Sequence, residues 1–110
     1  MLPKKYRLTF KEFNQNKQHP VKFTSVYFDL LIKSSNNLNP RFVIITPKSI
    51  DKRSSLRHKT KRIIIEAIRK KLDKIGSNKD VLVRTKRTID KKDKVSVERG
   101  IDLFIKRTVL

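Results

Sequence analysis

Ile64, Ile68, Leu72 and Ile75 recur at spacings of three and four, and two short runs of different character flank them. The spacing places the four side chains on one face of a helix. Before it, residues 41–46 contain Phe42-Val43-Ile44-Ile45; after it, residues 80–85 contain Val81-Leu82-Val83. Both runs read as strands. A helix held between two strands can hide its apolar stripe only against a sheet, which restricts the chain to folds with helices packed on strands. Ser54 or Ser55 is expected to cap the helix start, and Gly76 to supply the left-handed residue past its end.

The remaining elements follow from the same periodicities. Thr9 and Glu12 have the spacing of a capping box, so a short helix begins near Thr9 and carries Phe10 and Phe13 on one face. Residues 21–32 read as one strand, with Val26, Phe28, Leu30 and Ile32 alternating against Tyr27, Asp29 and Leu31. A loop over residues 34–40 leads to the strand at residues 41–46, expected to lie antiparallel to the first. A last helix over residues 93–107 places Val97, Ile101, Phe104 and Ile105 on one side, although Gly100 sits inside it. The order is α-β-β-α-β-α, a two-layer α+β sandwich of helices on a small mixed sheet. With 110 residues it forms one domain spanning the chain.

Charge decides what such a domain meets. Lys and Arg number 29 against 10 Asp and Glu, a net +19, as expected for a protein that binds a polyanion. Disorder does not explain this composition, because Leu, Ile, Val and Phe make up about a third of the chain. Cysteine is absent, which excludes disulfides, thiolate zinc sites and thiol nucleophiles. Every apolar run is far shorter than the ~20 residues of a membrane span. No apolar segment follows the basic start, so it does not read as a secretory signal. A cytoplasmic nucleic-acid-binding domain is expected.

The cations are placed unevenly. Residues 57–74 hold eight Lys or Arg against Glu66 and Asp73, and Arg57, Lys59, Lys61 and Arg62 crowd the first two turns. A helix N-terminus carries partial positive charge, and each cation there costs roughly 0.3–1 kcal/mol at low salt. Placement against the helix's own field points to an anionic partner. Lys59, Arg62, Glu66, Arg69 and Lys70 project away from the core stripe. Arg57 and Lys61 project on the stripe's side, one to two turns earlier, toward a cleft beside the sheet. Lys70, Lys71 and Lys74 read as an ordinary solvated face.

Arg57-His58-Lys59-Thr60-Lys61-Arg62, followed by Glu66-Ala67-Ile68-Arg69, resembles the RNR signature of the bacterial ribonuclease P protein family. Residues 41–49, ending in Thr46-Pro47-Lys48-Ser49, resemble that family's strand and Lys-rich turn. Met1-Leu2-Pro3-Lys4, then Arg7-Leu8-Thr9 and Phe13, match its start, and Asp80-Val81-Leu82-Val83-Arg84 sits where its last strand would be. The resemblance covers nearly the whole chain. His58 stands for the signature Asn, Lys59 for an Arg, Ile65 for an Arg, and Ser49 for the turn's second Lys. Lys at 59 keeps the charge but gives up the bidentate fork of arginine.

The resemblance implies a subunit of ribonuclease P, the enzyme that removes the 5′ leader of precursor tRNA, with the RNA and its Mg²⁺ doing the hydrolysis. The expected partners are the ribonuclease P RNA and precursor tRNA, with no membrane and no obligate protein partner. Lys48, Arg57, His58, Lys59, Lys61, Arg62 and Arg69 are expected to contact RNA. Phe13 and Tyr27, with Arg57 and Lys61 beside them, are expected in a leader-binding cleft, while Phe10, Phe28 and Phe42 are assigned to the core. The family's second stacking Phe has no counterpart, since Lys17 occupies its place. A left-handed crossover between the strands joined by the central helix is also implied. No catalytic or metal-binding residue is expected: there are two His, no Cys and scattered acids. His19 reads as a surface residue, Asp29 and Glu66 lack a second carboxylate at ligand spacing, and Glu66 is expected to pair with Arg62 or Lys70. The alternative is a small basic ribosomal protein, which explains size and charge but not the ordered motifs.

Overall fold

The computed structural model describes residues 2–109, apart from the side chains of residues 108 and 109. Helix α1 (Phe10–Gln15) opens at Thr9. Its hydroxyl accepts from the Glu12 amide at 3.1 Å, and the Glu12 carboxylate accepts from the Thr9 amide at 3.0 Å. Reciprocal capping suits a helix far too short to persist without tertiary contacts.

A hairpin follows, where the periodicity suggests one strand. β1 (Val21–Thr24) and β2 (Phe28–Ser34) pair antiparallel, Val21 opposite Ile32. Ser25 makes the break: its hydroxyl accepts from the amides of Tyr27 and Phe28, and its own amide donates to the Phe28 carbonyl. A serine oxygen that captures backbone donors ends a ladder without disturbing the hydrophobic alternation on either side.

β3 (Arg41–Ile45) and β4 (Lys79–Thr85) complete a sheet of order β1-β2-β4-β3. β4 runs antiparallel to β2 and parallel to β3. The expected antiparallel neighbour of β2 is therefore wrong, because β4 lies between. Val81, Leu82 and Val83 are all buried, so β4 is apolar on both faces and takes a central place, while the half-buried β3 suits an edge.

α2 (Ser54–Arg69) links β3 to β4 and packs with α3 (Lys94–Val109) on one face of the sheet. Ile64, Ile68 and Ile75 are buried, with Leu72 partly so, as the stripe requires. Gly100 is explained by contact: a Cβ there would stand 3.1 Å from the ring of Phe28, which is itself fully buried. The helix ends differ from expectation. Arg53 holds the N-cap position without a side-chain cap, so Ser54 and Ser55 lie inside the first turn. α2 stops at Lys70 well before Gly76, and the left-handed residue is Asn78 (φ 62°). On the opposite face α1 covers a smaller cluster of Leu8, Phe13 and Leu82. Among the described residues, no helix is long and apolar enough to cross a membrane.

Candidate nucleic-acid interface

The start of α2 is built by an arginine-rich turn. Asp51 accepts from the Arg53 amide at 2.9 Å and from its guanidinium at 3.1 Å. The Arg53 guanidinium, its backbone amide and then the charge of Arg57 hold the Asp51 carboxyl below its ordinary range. Arg57 donates to the carbonyls of Asp51 and Lys52, both at 3.0 Å. It staples the turn to the helix rather than facing a cleft. Thr60, fully buried, donates to Leu56 O and accepts from the Ile89 amide at 3.0 Å, locking α2 to the segment before α3.

The signature cations then separate by partner. Lys59 reaches Asp90 at 2.7 Å, and Asp90 is held below the usual carboxylate range by that contact first and the Lys91 amide second. Lys61, Arg62 and His58 have no ion pair or hydrogen bond from their side chains among the described residues, and they line one concavity with Ile65 and Glu66. Farther along, Arg69 pairs with Glu66, Lys70 with Glu98 and Lys71 with Asp102, at 3.1–3.2 Å. Glu66 thus takes Arg69 and not Arg62 or Lys70: the three-residue helical step already brings its carboxylate to the Arg69 guanidinium, while Lys70 leans to α3. Lys48 is exposed in the turn after β3.

On the other face a groove runs between α1 and the sheet, lined by Phe10, Phe13, Asn14, Leu31, Ile45, Pro47, Leu82 and Arg84. Phe10 is 53% exposed there, against its expected core position, whereas Phe13 is 3% exposed. Rings at i and i+3 on one face need not share a depth: Phe13 drops onto Leu8 and Leu82 while Phe10 overhangs the groove edge. Phe13 is also covered by Lys33, whose ammonium lies 4.2 Å from its ring centre. Tyr27 lies elsewhere, packed against the main core. Its hydroxyl donates to Asp93 at 3.1 Å and the Arg87 guanidinium stacks over its ring. The hairpin turn, absent from the periodicity, is what carries Tyr27 to that layer. Arg57 and Lys61 do not line the groove either; Lys61 borders a separate concavity at the β3 edge with Leu2, Arg7 and Leu8.

Behind the groove, buried charges fix α1. Arg41 makes a two-pronged pair with Asp80 at 3.1 and 3.2 Å and extends to Glu12 at 3.2 Å. Asn16 donates to Asp80 and to Ser34 O, and Lys33 donates to the carbonyls of Phe13 and Asn16, each at 2.9 Å. A cation on the last carbonyls of a helix complements its dipole. Sequence reading missed this network. The signal was present, since Lys33 and Asp80 interrupt apolar strands at positions that turn out to face each other.

The family model for Ribonuclease P matches residues 2–109. The chain belongs to the ribonuclease P protein family. As such it is a protein subunit of a ribonuclease P ribonucleoprotein, acting with the ribonuclease P RNA in tRNA processing. Its fold is that of an RNase P protein from Thermotoga maritima (21% identity, TM-score 0.72, covering 92% of this chain and 96% of that one). It is equally similar to the Staphylococcus aureus RNase P protein (20% identity, TM-score 0.73, 94% of each chain). A mutant of that protein described as defective in mRNA degradation matches at 17% identity and TM-score 0.74, covering 94% and 87%. A search of curated protein sequences returns no significant match.

Proposed function

We propose that this ribonuclease P protein binds the catalytic RNA along the outer face of α2 and the 5′ leader of precursor tRNA in the α1 groove. Lys59, Lys61, Arg62 and His58, with Lys48 and Arg69, face phosphates of the structured RNA, whose fixed duplex shape is read mainly through its backbone. In the groove the exposed Phe10 is the stacking platform, with Phe13 as its buried support and Arg84 beside the backbone. This places an aromatic ring in the groove despite Lys17 standing where the family has its second Phe. Arg57 and Tyr27 act on this reading through the fold, not by contact with the leader.

Hydrolysis is proposed to belong to the RNA and to Mg²⁺ held by RNA and substrate. The protein's own residues do not suit that ion: among the described residues no three acids or histidines cluster, and Asp29, Asp51, Glu66, Asp80 and Asp90 each face a cation. The holoenzyme is proposed to act in the cytoplasm.

The observation that carries this reading is the pair Lys61 and Arg62, left without an acid among the described residues while Arg69, Lys70 and Lys71 beyond them each have one. Reconstitution tests it. Added to a bacterial ribonuclease P RNA at low Mg²⁺, the protein should restore 5′ processing of precursor tRNA, and the protein alone should cleave nothing. Absence of stimulation would sink the proposal, as would cleavage by the protein without RNA.

A further inference from the structure

The connection between β4 and α3 carries a basic surface that the signature does not include. We propose that Lys91, Lys92 and Lys94 form a second contact surface for the ribonuclease P RNA, continuous with the outer face of α2. This rests on the reading of α2 just given and extends it to a segment without a family motif.

Placement is the first support. Ile89 is 2% exposed and anchors the connection in the core, its amide bonded to Thr60 of α2 at 3.0 Å. One residue later Asp90 meets Lys59 at 2.7 Å. The connection therefore lies against the first half of α2, and an RNA backbone on Lys59 and Arg62 passes directly beside it.

Charge is the second. Both acids of the connection are already engaged. Asp90 faces Lys59 and accepts from the Lys91 amide at 2.8 Å, while Asp93 accepts from the Tyr27 hydroxyl at 3.1 Å and the Asp90 amide at 3.0 Å. Lys86 is taken by Asp29 at 3.1 Å. Lys91, Lys92 and Lys94 are exposed and have no acid within ion-pair distance among the described residues. Three such lysines within four residues, beside the unpaired cations of α2, complement a polyanion. The α1 groove opens on the opposite face of the sheet, so the complement here is the RNA subunit and not the leader.

The test is binding of a bacterial ribonuclease P RNA to the full chain over about 0.1–0.5 M salt. Replacing the three lysines together (Lys91→Gln, Lys92→Gln, Lys94→Gln) should weaken binding about tenfold or more and make the log–log salt slope shallower by about 2, at 0.7–0.9 per phosphate lost. The thermal midpoint should stay unchanged, and the same three positions as Arg should keep the wild-type slope. Wild-type affinity and slope in the Gln variant, alongside a loss in a Lys61→Gln/Arg62→Gln variant, overturn this surface alone. An intact affinity for the RNA with weakened precursor tRNA binding by the assembled holoenzyme moves the surface to the substrate and overturns the assignment. Failure of the wild-type chain to bind the RNA removes the reading of α2 as well.

Discussion

The two halves of the basic stretch over residues 57–74 carry four cations each and treat them differently. In the second half Arg69, Lys70 and Lys71 each meet a carboxylate, two of them on α3. In the first half Lys61 and Arg62 meet none among the described residues, and no acid occupies the first turn of the helix. Density of charge does not separate a cation held within the fold from one left open to a partner; pairing does. The α1 network marks the far end of the same scale, since Arg41 and Asp80 are paired and the Asp80 side chain is buried.

The sharpest way to break this comparison is at that buried end. Asp80→Ala leaves the part-buried Arg41 with only the exposed Glu12 and takes an acceptor from Asn16, and should destabilise the fold by about 3 kcal/mol in urea titration. A loss below about 1 kcal/mol would place the pair with ordinary surface contacts. Next comes the unpaired end. Lys61→Gln/Arg62→Gln should reduce affinity for the ribonuclease P RNA about tenfold or more, from a wild-type log–log salt slope of about −5 or steeper. The same variant should unfold no more easily than wild type, because neither side chain has an ion pair or hydrogen bond to lose among the described residues. Were its RNA affinity unchanged, absence of pairing would have no functional meaning.

Lys70→Gln/Lys71→Gln is the matched control in the paired half. Exposed pairs of this kind contribute about 0–1 kcal/mol, so stability should fall slightly and RNA affinity should change less than threefold. The smallest effect is a pH dependence. Asp90, held down by Lys59 and the Lys91 amide, and Glu12, held down by the Thr9 amide, the Thr9 hydroxyl and Arg41, both titrate lower in the folded chain than in the unfolded one. Their contribution is complete above their ordinary values of 3.8 and 4.5 and is lost as pH falls through the lower folded values. Thermal midpoints should be flat from these groups near neutrality and should decline in acid, where Lys59 joins the unpaired set. A midpoint that rises on acidification contradicts the pairing of Asp90.

Legibility followed the range of each interaction. The Thr9–Glu12 box, the α2 stripe and the buried face of α3 depend on neighbours a turn or two away, and the sequence displays them directly. The Ser25 break and the Phe10–Phe13 reversal were not legible. Each depends on a contact that periodicity does not encode: a hydroxyl on two amides in one case, the overhang of a six-residue helix in the other. For the site, the cations of α2 were readable as a group, but their sorting was not, because Asp90, Glu98 and Asp102 come from segments distant in sequence.

From the residues alone came the helix-on-sheet class, the polyanionic partner and the signature that names the family, all properties of local spacing and total charge. Tertiary structure decided that β4 separates β2 from β3, that Arg57 serves the turn before its helix, and that Phe10 is the exposed ring. Arg57 is settled by two carbonyls only five and six residues away, in a turn that periodicity does not encode, while the other two share a longer-range reason. Burial and ion pairing are settled between elements far apart in the chain, where a side chain's partner depends on which strand or helix reaches it first.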